Sequence, residues 1–283
     1  MWRAILSLFV GATLASGAVG GALEHKTETV VIHGADRLSM NCSFGAGELI
    51  INPGDIPDAA RLNVAYDPRR VDYDVEYEVK GSTGYLRLDS EWKRHRNVNT
   101  NDNRWDLVLP RKYPLDAKFE IGACDAEIDL GGLSLTELKL EVGAASGTID
   151  FSRPNPERLR EMRIEAGASS LKLINLGNAN FEYLKFSGGA GSFDMDFRGE
   201  YHGESEAKIE IGLGSADIIL PRGLAVRVET EDDNWFSSVD IDGGDLDKVS
   251  DDVWETPDFE NAKDRLVMRL DVGMGSVDFR WKK

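Results

Sequence analysis

Ile211-Gly-Leu-Gly-Ser-Ala-Asp-Ile218 joins closely spaced glycines to an acid, residue types that do chemistry on loops. A Gly-x-Gly-Ser phrase after an apolar strand cradles phosphate when a helix follows, because the helix start offers free N–H groups. An alternating apolar–polar run follows here instead, which is a strand pattern, so the glycines read as corners and not as a phosphate or dinucleotide loop. Paired carboxylates are a second kind of chemistry, suited to glycoside cleavage, and acids around calcium with a base would suit a polysaccharide lyase. Asp129, Asp150, Asp194, Asp196 and Asp217 are the acids open to that reading. Their place in a repeating alternation accounts for them, and no nucleophile–base–acid set accompanies them. The expectation is no enzyme, no catalytic residue and no cofactor.

Two other stretches could contact a ligand or partner. Lys93, Arg94, His95 and Arg96 form a local basic cluster in a polar loop of an acidic chain, open to an anionic glycan or to carboxylates of a partner. Asp232, Trp235 and Phe236 put aromatic faces beside acid, as a sugar-stacking site would. Solvated loop and packing roles compete with both. Cys42 and Cys124 are the only cysteines, and there are four histidines. No CxxC pair exists, so no metal site is expected, and the cysteines read as small buried thiols whose bonding sequence cannot decide.

The elements that position these residues repeat. Aligned copies of the glycine phrase begin at Gly122, Gly143, Gly167, Gly189 and Gly212, spaced 21, 24, 22 and 23 residues apart, with outlying copies at Gly45 and Gly273. A period near 22 is the signature of a solenoid whose turns stack on one another. Four residues before the glycine stand Lys118, Lys139, Arg163, Lys185, Lys208 and Arg269; two before it stand Glu120, Glu141, Glu165, Ser187, Glu210 and Asp271. Phe119, Leu140, Ile164, Phe186, Ile209 and Leu270 lie between them, so each copy enters its corner on a strand with one buried face. The exit strand alternates likewise, with Ile128, Ile149, Leu173, Met195, Ile218 and Phe279 inward. Like residues stack about 4.8 Å apart in such an array, and a basic column beside an acidic one relieves the repulsion each would suffer alone. That face reads as mutually neutralised and solvated.

Two segments interrupt the period. Residues 52–117 hold alternating runs such as Val75-Glu-Tyr-Glu-Val79 and Trp105-Asp-Leu-Val-Leu109, read as a β-meander or irregular turns. Residues 221–267 hold a degenerate turn, with Ala225-Val-Arg-Val-Glu229 repeating the basic and acidic columns. The charged ending Arg280-Trp-Lys-Lys283 reads as a cap on the stack. The fold class expected is therefore all-β, a parallel β-solenoid of about 22-residue turns with an N-terminal β-meander segment.

The hydrophobic content of 41% supports a core, so disorder is excluded for the main body; the net charge of −17 argues against nucleic acid and anionic membrane surfaces as partners. Met1-Trp-Arg3 and the apolar run from Ala4 to Ala15 read as a secretory signal peptide, cleaved near Ala18 or Ala22, with an uncleaved N-terminal anchor as the competing reading. No later run is apolar enough to cross a membrane, so the mature chain is expected to be exported. The divisions expected are a signal peptide at 1–22, an N-terminal part at 23–117 with the first turn and meander, and the repetitive part at 118–283.

Gly84-Tyr-Leu-Arg87, Asn103-Arg-Trp-Asp-Leu107, Tyr113-Pro-Leu-Asp116 and Leu220-Pro-Arg-Gly-Leu-Ala-Val-Arg-Val228 occur in order with the repeated glycine phrases and the Gly-x-Gly-Ser-Val ending. In these motifs the chain resembles the toast-rack and LiaF-like families of bacterial cell-envelope proteins, over roughly residues 40–283. The resemblance implies a right-handed single-chain β-solenoid and a periplasmic or extracellular role at the envelope, with an unidentified envelope protein or glycan as partner. LiaF-like members help to control a membrane histidine kinase in envelope stress; this chain departs from them in having no multi-span region. A non-catalytic binding or scaffold protein is the expectation, with a stress-signalling regulator as the alternative and a polysaccharide-active enzyme behind both.

Overall fold

A computed structural model describes residues 23–93, 100–230, 237–240 and 246–282. The signal peptide expected at 1–22 lies outside them. Strands make up 71% of the described residues and no α-helix occurs among them, so the protein is all-β, with a small parallel barrel core.

The repeats form the strands their alternation calls for. They are β7 (Leu115–Asp129), β8 (Leu135–Val142), β9 (Ser146–Asp150), β10 (Leu159–Ile174), β11 (Phe181–Asp196) and β12 (Glu204–Pro221). Each pairs in parallel with the next turn, with like residues opposite: Lys139 with Arg163, Arg163 with Lys185, Lys185 with Lys208. Phe119, Leu140, Ile164, Phe186, Ile209 and Leu270 thus stack into one inward column, each at most 1% exposed. One continuous core cluster runs from Val30 to Phe279. No turn buries its own apolar side chains alone; each is covered by those above and below.

The bend between entry and exit strands is set by close approach. A Cβ on Gly122 would sit 2.1 Å from the carbonyl oxygen of Gly45, one turn away. At Gly214, where φ is +134°, a Cβ would lie 1.9 Å from the carbonyl oxygen of Gly191. Any side chain there would push adjacent turns apart, and the backbone angle also favours glycine. The far corner is held differently. Asn155, 3% exposed, accepts from the Leu135 N–H at 2.9 Å and donates to the carbonyls of Leu135 and Ala179 at 2.9 and 3.2 Å. One side chain thereby ties three successive turns.

Both ends of the stack depart from the sequence expectation. At the N-terminal end lie β1 (Glu24–Val30), β2 (Arg37–Gly54), β3 (Ala60–Tyr66), β4 (Val71–Lys80), β5 (Thr83–Trp92) and β6 (Asn103–Pro110). Of the two readings of residues 52–117, the strand pairing follows the irregular turn and not the meander. Strands β5 and β6 run parallel to β2 along its two halves, forming a turn beyond it, while β7 covers β2 on the other side. Among the described strands of this segment only β4 and β5 pair as consecutive antiparallel neighbours; β3 lies antiparallel between β1 and β6. Leu86, Leu88, Trp105 and Leu107 are at most 2% exposed, and the parallel placement is what carries them into the shared core.

At the other end lie β13 (Ala225–Thr230), β14 (Ser237–Asp240), β15 (Asp247–Ser250), β16 (Val253–Glu255) and β17 (Arg265–Lys282). The C-terminal strand is not the cap. Strand β17 inserts between β12 and the earlier β13 and β14, paired in parallel on both sides. The edge is closed instead by β16, antiparallel to β13, and by β15 beyond it. The register of β13 also differs from the expected one by two residues. Glu229 stands opposite Arg269 and reaches its Nε at 3.0 Å, which replaces an Arg–Arg contact with an ion pair.

Two substitutions test the bend and the corner. Gly214→Ala should cost several kcal/mol more than Gly203→Ala, where φ is +88° but no atom lies within 4 Å, so that strain alone, about 1–2 kcal/mol, remains. Asn155→Ala leaves buried backbone groups of Leu135 and Ala179 without partners and should cost about 2–4 kcal/mol in urea unfolding.

Candidate functional site

The outer face of the entry strands carries three charge columns. The basic column, from Lys118 to Arg269, has the expected acidic column on its corner side. A second acidic column, Asp116, Glu137, Glu161 and Glu206, interrupted by Tyr183, flanks it on the other side. Sequence reasoning missed that column, although the same alternation carried two residues further from the glycine marks it. The cations bridge both ways. Lys118 and Lys139 pair with Glu141, the latter at 2.6 Å; Arg163 pairs with Glu161, and Arg269 with Glu206 and Glu229.

Beside the inner acidic column the glycine bends leave an open groove of about 820 Å³, running across the strands past Ser43, Glu120, Glu141, Glu165 and Lys185. It continues beyond Ser187 into a second space of about 420 Å³ lined by Glu210 and Asp271. Glu210 is its most firmly held acid. Partial burial alone would raise its carboxyl pKa, but hydrogen bonds from Lys185, Ser187 and Lys208 overcome this and bring it down to about 2. Glu141 is likewise lowered, chiefly by its hydrogen bond from Lys139. Carboxylates held ionised in this way stabilise an ion-pair array; a general acid needs the opposite shift.

Four of the five acids considered for catalysis are engaged structurally. Asp129 accepts from the Gly131 N–H at 2.8 Å and from Ser152 Oγ at 2.7 Å. Asp150 accepts from Asn175 at 2.8 Å, and its pKa is raised, first by burial and then by the charges of Asp129 and Asp196 against that hydrogen bond. Asp196 forks with Arg198, Asp217 pairs with Arg280 at 2.7 Å, and Asp194 stands in register between Lys172 and Asp217. Among the described residues no group of three or more His, Cys, Asp or Glu is placed to hold a metal ion. A strand, continuous or renewed as at β8 and β9, follows each glycine phrase, so no helix start faces the turn.

Cys42 and Cys124 are unbonded and buried, and burial raises both thiols to about 12. They stay protonated and unreactive near neutral pH. Lys93 is not a free cation: it donates to the Pro68 carbonyl at 2.5 Å and pairs with Asp72 at 2.8 Å. Arg94 and Arg96 lie outside the described residues, as do Asp232, Trp235 and Phe236.

The ion-pair array has a pH signature. Glu210 has a folded pKa of about 2 against the ordinary 4.5, so its stabilisation is complete above about pH 4.5 and is lost as pH falls toward 2. Its side chain is 28% exposed, so screening reduces the effect, to on the order of 1–2 kcal/mol. Glu210→Gln should remove that stability at pH 7 and flatten the acid limb of a thermal-melting profile between pH 2 and 5.

Three solved structures share general features with the chain. A "putative cell adhesion protein" from Clostridium sporogenes is 19% identical, covering 92% of this chain and 100% of its own, with a TM-score of 0.47. A "putative adhesin" from Bacteroides fragilis is 13% identical over 92% and 98% at a TM-score of 0.43. A "putative lipid binding protein" from Parabacteroides distasonis is 13% identical over 92% and 97% at 0.29. No curated protein matches the chain. The family model described as the N-terminal domain of toast_rack, DUF2154, matches residues 19–174 and 159–219. That span covers well over half of the sequence, and with the repeated glycine bends it means that the chain belongs to the toast-rack family.

Proposed function

We propose that this is a non-catalytic, exported binding or scaffold protein of the bacterial cell envelope. In this reading its turns wind as a single right-handed parallel β-solenoid, and the stacked outer face is the working surface. The observation that carries it is the charged face itself: it is open, extends across successive turns, and most of its carboxylates are held in ion pairs. Rigid stacked turns present an extended surface of this kind to macromolecules, whereas small-molecule chemistry favours enclosed, mostly apolar clefts. Family membership and the apolar N-terminal segment support the envelope location. No helix among the described residues is long and apolar enough to cross a membrane.

The mature chain, residues 23–283, should retain a specific protein or glycan from an envelope extract at physiological salt. Retention should weaken when Glu165 and Lys185 on the groove wall are both changed to Ala, substitutions at exposed or half-buried positions that leave the core intact. An extract from which neither protein nor glycan is retained would reject the binding reading.

A further inference from the structure

Strand β4 is the longest open edge among the described residues. It pairs antiparallel with β5 over its full length, Val71 opposite Trp92 to Lys80 opposite Thr83, and its other edge has no strand partner among the described residues. The other terminal strands are shorter: β1 spans seven residues, and β14 and β15 four each. A long edge leaves a row of backbone N–H and C=O groups directed outward, able to accept one more strand.

The side chains of β4 say what that strand must be. Its outward residues are Asp72, Asp74, Glu76 and Glu78, all exposed. Asp72 is answered by Lys93 and Glu78 by Lys80. Asp74 and Glu76 have no ion pair among the described residues; Asp89 stands opposite the first, and Arg87, opposite the second, is turned to Asp89 at 2.5 Å. On the inner side Tyr73, Val75 and Tyr77 pack against the core yet stay half-exposed, and Val79 is 38% exposed. An added strand would continue the inner row with apolar side chains and would set its alternate residues about 4.8 Å from the carboxylates. A second copy pairing through this edge would bring carboxylates against carboxylates. Cations at those alternate positions remove the repulsion and neutralise Asp74 and Glu76.

The geometry points to β4 as an acceptor edge for an extended segment of another protein, with Lys or Arg alternating with apolar residues, that adds one strand to the sheet. This rests on the binding reading above and gives it a partner class. The carboxylate column then has two effects, excluding the protein's own copies and selecting a cationic strand.

The test uses the mature chain and three end-capped decapeptides: alternating Lys–Val, alternating Glu–Val, and a block of five Lys followed by five Val. The alternating Lys–Val peptide should bind, and hydrogen exchange should slow within residues 71–80. The double variant Asp74→Lys with Glu76→Lys, checked for native circular dichroism, should lose at least about tenfold in affinity for that peptide and gain affinity for Glu–Val. Equal binding of the block peptide, or binding unchanged in the double variant, would overturn the inference by reducing it to non-specific charge attraction. So would an envelope partner captured equally by the double variant, although the binding reading would then stand. Peptide addition at β4 with an empty envelope extract would leave the acceptor edge in place and reject the envelope-binding reading alone.

Discussion

Adjacent turns approach so closely at the bend that a carbonyl oxygen of one occupies the space a Cβ of the next would fill. Everything else in the molecule follows from that contact. It holds the turns at strand spacing around a sharp change of direction, so the apolar columns on entry and exit strands close over a common interior. Were the bend wider, Phe186 and Ile218 would still alternate inward on their own strands but would lose the cover from the turns on either side. The far corner uses side-chain hydrogen bonding where the near corner uses the absence of a side chain. Asn155 satisfies backbone groups that the turn leaves unpaired, a task glycine cannot perform.

Stacking identical turns creates two problems, and both are answered in charge. Repetition puts like residues beside like, which would make each acidic column repel itself. A basic column between two acidic ones answers this: Lys118, Lys139 and Lys185 reach corner-side acids of neighbouring turns, while Arg163 and Arg269 reach Glu161 and Glu206 on the other side. The lowered carboxyl pKa of Glu210 is the local measure of that arrangement. It is a property of the array and needs no ligand to explain it. The second problem is that a parallel stack has two open ends. Antiparallel strands cover both, β16 over β13 at one end and β3 and β4 over β6 and β5 at the other. The capping is asymmetric, because β15 is short whereas β4 exposes a long acidic edge.

The sequence by itself determined which side chains face inward, where the chain bends, and that like columns stack. These depend on alternation and glycine placement within each repeat, information confined to about 22 residues. Membership of the toast-rack family was also readable, from motifs in order. The order of turns at the two ends was not. Every turn offers much the same inward face, so the pattern is satisfied equally whether β17 lies outside β13 or is inserted beneath it. Only the pairing of particular strands decided this, through long-range contacts such as Arg269 with both Glu206 and Glu229. The same holds for the stretch from Leu62 to Leu109: its strands were legible, but whether they formed a meander or joined the stack depended on which edge of β2 stood open. Local periodicity specifies faces. The edge each face meets is a matter of tertiary structure, because hydrogen-bonding edges are backbone groups common to every residue and carry no sequence signal of their own.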